Sequence, residues 1–310
     1  MEQYETVKKI EETVNSFFVG KQEVVRDVLI CLLTGGHVLL EDVPGVGKTT
    51  LAKCFAHALE CSFGRIQFTP DTLPGDVLGV SIYNMKTGEF EYKKGMVMNQ
   101  ILLADEINRT SPKTQASLLE AMSENQVTVD GVVYPLEQPF MVIATQNPVE
   151  YIGTYPLPEA QMDRFMMKLS IGYPDKRQEM EMVSQLLEGK AVEQIRPVCD
   201  GKCIEEIKKS VSRIHVEESV IEYIEDMIGL TRQENRFEVG ASPRAMIALV
   251  KASQARAFLE GRDYVKPDDV KAVAMQVLLH RLSLSSEAKI RKEAGAKILQ
   301  SLILKARIPV

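Results

Sequence analysis

Glu41-Asp42-Val43-Pro44-Gly45-Val46-Gly47-Lys48-Thr49-Thr50 follows directly on the apolar run His37-Val38-Leu39-Leu40 and leads into the helical Leu51-Ala52-Lys53-Cys54-Phe55. A strand, a glycine loop ending in Lys-Thr and then a helix make a phosphate-binding loop in its proper setting. Gly45 and Gly47 let the backbone turn its N–H groups toward phosphate oxygens, and the helix that follows adds its positive end. Lys48 then reaches the β- and γ-phosphates, and Thr49 offers its hydroxyl to Mg²⁺. Pro44, Val46 and Thr50 complete the candidate nucleotide-binding stretch. One position departs from the general pattern G-x-x-x-x-G-K-[ST]: Asp42 stands where the first glycine is usual, a change the Pro44-Gly45 turn can absorb.

Outward from this loop, short β-type runs at 37–40, 65–69, 100–104, 140–144 and 167–171 alternate with longer amphipathic stretches. Several of the runs are apolar throughout, as buried parallel strands are. The alternation predicts an α/β fold, a parallel sheet flanked by helices. Two hairpins, at 80–92 turning on Lys86-Thr87-Gly88 and at 126–134 turning on Asp130-Gly131, read as insertions into it. Beyond Tyr173-Pro174-Asp175 no comparable strand is expected. Apolar residues recur there at three and four (Ile204, Ile207, Val211; Ile221, Ile224, Ile228), and Ser242-Pro243-Arg244 marks a helix start. The predicted division is 1–174, a nucleotide-binding α/β core, and 175–310, an all-α domain.

Ile101-Leu102-Leu103-Ala104-Asp105-Glu106 is an apolar strand that delivers two acids at its carboxyl end, where sites sit in such sheets. Asp105 suits Mg²⁺, and Glu106 is placed to orient and deprotonate an attacking water. The next strand ends at Ala144-Thr145-Gln146-Asn147-Pro148, which sets the Asn147 amide beside the acids, and Pro148 favours an extended Asn147. Read alone, Asp-Glu is also a solvated helix cap, and Asn-Pro also a turn.

Composition removes other classes. At 310 residues, 45% hydrophobic and 26% charged, the chain has the make-up of a folded protein, and a net charge of -6 supplies no general attraction for nucleic acid or anionic membranes. The sequence contains no run of 18 apolar residues that would span a membrane. The acidic start, Met1-Glu2-Gln3-Tyr4-Glu5, lacks a secretory signal, so a cytoplasmic location and reduced thiols are expected for the five cysteines. Cys199 and Cys203 have no nearby partners to complete a zinc site.

Taken together with Leu157-Pro158-Glu159-Ala160-Gln161-Met162-Asp163-Arg164-Phe165 and Gly240-Ala241-Ser242-Pro243-Arg244-Ala245, these motifs resemble those of AAA+ ATPases, and within them the MoxR group. The resemblance spans most of the chain, Asp42 included. It implies a parallel-sheet AAA+ core with hairpin insertions followed by an all-α lid. It also implies ATP and Mg²⁺ as cofactors, homo-oligomeric rings that are usually hexamers, and nucleotide sites between subunits. By the same resemblance Asn147 matches the sensor 1 position, Arg164 the arginine finger and Arg244 the sensor 2 arginine, whether on its own site or a neighbour's. Arg109 is a further candidate for the subunit interface. Phe18-Val19-Gly20-Lys21-Gln22-Glu23 resembles the segment that lines the adenine pocket, with Val19 and Gly20 in backbone contact, although a plain helix–helix turn has the same sequence. Expected partners are a protein client or a von Willebrand factor A-domain adaptor. The hairpin tips, Asp130-Gly131 and Lys86, are poorly suited to duplex DNA, so no nucleic acid is expected. A monomeric nucleotide switch and a nucleic-acid motor are the competing readings.

Overall fold

The structure is a computed structural model that describes residues 2–147 and 154–309. Two helices, α1 (Glu2–Phe17) and α2 (Gln22–Leu33), precede β1 (Val38–Glu41), which the phosphate loop joins to α3 (Lys48–Ala58). There follow β2 (Phe63–Gln67), α4 (Pro74–Leu78), the hairpin β3 (Gly79–Asn84) and β4 (Glu89–Lys94), β5 (Ile101–Asp105) and α5 (Pro112–Glu124). The second hairpin, β6 (Gln126–Val129) and β7 (Val132–Pro135), leads to β8 (Met141–Gln146), α6 (Glu159–Met162) and β9 (Met167–Leu169). Each of the five expected runs is a strand within a residue or two at either end, and together they form one parallel sheet in the order β2-β5-β8-β1-β9.

Side chains alternate across this sheet with period two, and both faces are covered. Val38 and Leu40 join the apolar cluster of α1, α2 and α3, whereas Leu39 joins the cluster of α5 and the hairpins. The stripe Val7, Ile10 and Val14 of α1 is fully buried in the first cluster. His37, at the head of β1, ties that strand to β8 and to α5. Its Nδ1 accepts from Val142 N–H at 3.0 Å, and its Nε2 lies 3.0 Å from the Met122 carbonyl. Those two partners admit only the neutral Nε2–H tautomer, and burial lowers its pKa to about 4.

The remainder is helical: α7 (Lys176–Leu187), α8 (Gly201–Val211), α9 (Glu218–Gln233), α10 (Pro243–Leu259), α11 (Pro267–Leu278), α12 (Ser286–Ile290) and α13 (Gly295–Lys305). It differs from expectation in one detail, for β10 (Phe237–Val239) pairs antiparallel with β11 (Ser283–Leu284). These strands are too short to carry a periodic signal in the sequence. Asp175 and Gln178 form the capping box that starts α7, and Ser242 caps α10 by accepting from Ala245 N–H. Core and lid share the first apolar cluster and a buried polar joint. Arg281 donates from Nε to Asp163 Oδ1 at 2.7 Å and from Nη2 to the Phe165 carbonyl at 2.7 Å, and His280 Nε2 meets that same carbonyl at 3.1 Å. No described helix is long and apolar enough to cross a membrane.

Candidate functional site

β1 delivers the chain to the phosphate loop at the carboxyl end of the sheet. Gly45 (φ 86°) and Gly47 (φ 93°) both take the left-handed backbone that glycine allows, and Gly47 caps α3 with no side chain in the way. The first N–H groups of α3 have no helical acceptor of their own and suit an anion. Lys48, its first residue, rests its Nζ on the carbonyls of Asp42 (2.9 Å) and Val43 (3.4 Å). A cavity of about 410 Å³ brings Gly45, Gly47, Lys48, Thr49 and Thr50 together with Asp105, Glu106 and Asn147. Pro44 lines it as well.

The acids are held by their neighbours on adjacent strands. Thr145 Oγ1 on β8 donates to Asp105 Oδ1 at 2.6 Å and accepts from Glu106 N–H at 2.9 Å. Glu106 sits in the left-handed region (φ 57°, ψ 49°), a conformation that costs a non-glycine residue energy and is retained at functional sites. Its carboxylate Oε2 accepts from Gln67 Nε2 at 2.9 Å and pairs with Arg109 Nε at 3.2 Å. Arg65 Nη2 lies 2.8 Å from Asp105 Oδ2. Arg109 thus pairs with Glu106 of its own chain. Pro148 and its effect on Asn147 lie outside the described residues; Asn147 itself is buried at the edge of the cavity.

Val19 and Gly20 come to the same loop from the other side. A cleft places them against Gly45 and Val46, with Ile171 to Pro174 and Met182 of α7 opposite. A cavity of about 550 Å³ shares Val19, Gly20 and Gln178 with this cleft, and another of about 260 Å³ shares Val19, Val46 and Met182 with it and reaches Gly47 and Thr50. Gln178 Nε2 of α7 donates to the Gly20 carbonyl at 3.1 Å.

Arg164 and Arg244 are elsewhere. Arg164 lies two residues before Met166, whose N–H donates to the His37 carbonyl, so it belongs to the amino end of the sheet. The four residues of β1 separate that end from the phosphate loop by roughly 13 Å. Arg164 Nη1 donates to the Leu119 carbonyl (2.5 Å) and Ser123 Oγ (2.9 Å) at the end of α5, not to Glu159 or Asp163. Arg244, exposed at the start of α10, approaches Asp163 at 4.0 Å. The two arginines share a cavity of about 300 Å³ with Lys251 and Arg281, a basic face at the opposite end of the sheet from the acids.

Arg65, Gln67 and Thr145 were not among the expected site residues. A signal for the first two is present: they flank Ile66 near the carboxyl end of a strand of the parallel sheet, the end at which sites sit, and that strand lies beside β5.

Residues 37–167 match the ATPase family associated with various cellular activities (AAA), and residues 229–302 match the AAA lid domain. An uncharacterized protein of Bacillus subtilis, YeaC, is 49% identical over 302 residues, 97% of this chain and 94% of that one. Chaperone MoxR1 of Mycobacterium tuberculosis is 38% identical over 300 residues, covering 94% and 79%. The crystal structure of an ATPase candidate from Cytophaga hutchinsonii superposes with a TM-score of 0.93 at 40% identity, over 100% of this chain and 96% of that one.

Proposed function

We propose, for a chain that belongs to the MoxR group of AAA+ ATPases, that it works as a ring-forming, chaperone-like machine whose ATP site is completed by arginines of a neighbouring subunit. The observation that carries this reading is the placement of Arg164 and Arg244 on a basic face at the far end of the sheet from the phosphate loop. An arginine finger there serves another subunit's γ-phosphate. Its place on the same face supports a role for Arg244 in trans alongside Arg164. The core, 1–174, supplies the acceptor side and one of the arginines, and the lid, 175–310, supplies the other.

Within the acceptor site, Val19 and Gly20 bind the base, and the stretch Pro44 to Thr50 binds the phosphates. Lys48 exchanges its two loop carbonyls for phosphate oxygens. Thr49 and Asp105 are hard oxygen donors in one cavity and fit Mg²⁺, which when bound neutralises charge on the β- and γ-oxygens. Glu106 takes the proton of the attacking water, with Gln67 and Arg109 fixing its carboxylate until then. Asn147 orients the water or the γ-phosphate.

The exposed hairpin residues Ile82, Tyr83, Phe90, Val132 and Val133 are apolar. They favour a protein client, or a von Willebrand factor A-domain adaptor, over a phosphate backbone. The reading is tested by two variants measured side by side. Lys48→Ala should lose nucleotide affinity, and Glu106→Gln should bind ATP normally while turnover falls by ~10²–10⁴. Undiminished hydrolysis in Glu106→Gln, or unchanged affinity in Lys48→Ala, would sink it.

A further inference from the structure

The general phosphate-loop pattern has glycine where this chain has Asp42, and none of the chemistry described above uses a carboxylate there. The side chain is buried and accepts three hydrogen bonds. Oδ1 takes the Ser170 hydroxyl at 2.8 Å and the Gly172 N–H at 2.9 Å; Oδ2 takes the Ile171 N–H at 2.7 Å. Its main chain faces the other way. The N–H donates to the Gln146 carbonyl at the end of β8 (3.3 Å), and the carbonyl accepts Lys48 Nζ (2.9 Å).

The three donors belong to the segment that leaves β9. Its continuation, Ile171 to Pro174, forms the wall of the base cleft opposite Val19 and Gly20, and then enters α7 at Lys176. α7 is fastened back to the end of α1 by Gln185 Nε2 on the Ser16 carbonyl at 3.4 Å, and to the connection between α1 and α2 by Gln178 on the Gly20 carbonyl. A glycine at position 42 would keep the main-chain bonds and lose all three to the wall.

We propose that Asp42 is a positioning residue that hangs the base-side wall of the nucleotide pocket from the phosphate loop, so that phosphate and base subsites are set together. This deepens the nucleotide reading above and rests on it. Phosphate that draws Lys48 Nζ off the carbonyls of Asp42 and Val43 frees the main chain at that point. The carboxylate of the same residue passes the change to Ser170, Ile171 and Gly172, and from there to α7.

The test is calorimetric titration of the full chain, Asp42→Gly and Ser170→Ala with ADP and with pyrophosphate, a probe that has no base. In Asp42→Gly, pyrophosphate affinity should stay within about threefold of the unaltered protein while ADP affinity falls by at least about tenfold. The ratio of the two affinities is not moved by a mere loss of folded protein. Ser170→Ala removes one of the three bonds at an exposed residue and should lower that ratio by roughly two- to fivefold. An unchanged ratio in Asp42→Gly overturns the proposal; should that variant fail to fold, an unchanged ratio in Ser170→Ala does so. Absence of any binding by the unaltered protein would instead remove the nucleotide reading, and this proposal with it.

Discussion

Loss of Arg164 and loss of Glu106 should each silence hydrolysis, and mixing the two silent proteins should restore it. Arg164→Ala removes the donor but leaves its own acids intact; Glu106→Gln removes the acid but leaves its finger. A site is competent where an Arg164→Ala subunit receives the guanidinium of a Glu106→Gln neighbour. In an equal random mixture that arrangement occurs at about one site in four whatever the ring size, so turnover should reach roughly a quarter of the unaltered rate. It should fall away symmetrically as either partner is made dominant. A finger contributes ~10³–10⁵ in turnover, or about 4–7 kcal/mol of barrier. The alternative is that Arg164 only buttresses α5 through the Leu119 carbonyl and Ser123 Oγ. Its loss would then cost about 1–3 kcal/mol of stability and leave most of the turnover. Phosphate release is the assay, with native mass spectrometry confirming that the two variants share assemblies. A mixture that never exceeds the weighted mean of its parents would refute the reasoning.

Three further outcomes are expected. Thr145→Val keeps the shape but removes the hydroxyl that holds Asp105 and Glu106 N–H; kcat should fall about tenfold, ADP affinity should hold, and Thr145→Ser should restore most of the rate. His37 has its pKa lowered to about 4 by burial, so the unfolded chain binds the proton first and stability is lost as pH falls below the ordinary value near 6.5. The loss approaches on the order of 3 kcal/mol by pH 4, and His37→Gln should flatten that acid limb in denaturant titrations at pH 7, 5.5 and 4.5. Asp163→Ala leaves the buried Arg281 guanidinium without its carboxylate and should destabilise the protein by about 3–5 kcal/mol, visible as a lower thermal midpoint.

The sheet was legible because its strands are apolar runs that periodicity and length identify, and the phosphate loop because its glycines, lysine and threonine are contiguous. Asp105 and Glu106 were legible for the same reason: strand and acids adjoin in the chain. What was not legible depends on distant packing. The partners of Asp42 lie 128 to 130 residues away, and two of them are backbone N–H groups, which leave no mark in a sequence. Arg244 is visible as the second residue of a capped helix. Its side of the sheet, however, is decided by how α11 and the Arg281 joint dock the lid on β9. Gln67 and Arg65 stand beside the acids because β2 pairs with β5, a neighbour relation that the order of the chain does not display.

The separation of acids and arginines to opposite ends of one sheet has a bearing on how association must proceed. On the trans reading, head-to-tail joining seats the arginine face of one copy on the phosphate loop of the next. Joined head to tail, a pair owns a single finished site and an open row of n copies owns n minus one. Specific activity therefore climbs with concentration until the row bends round and its first and last members meet.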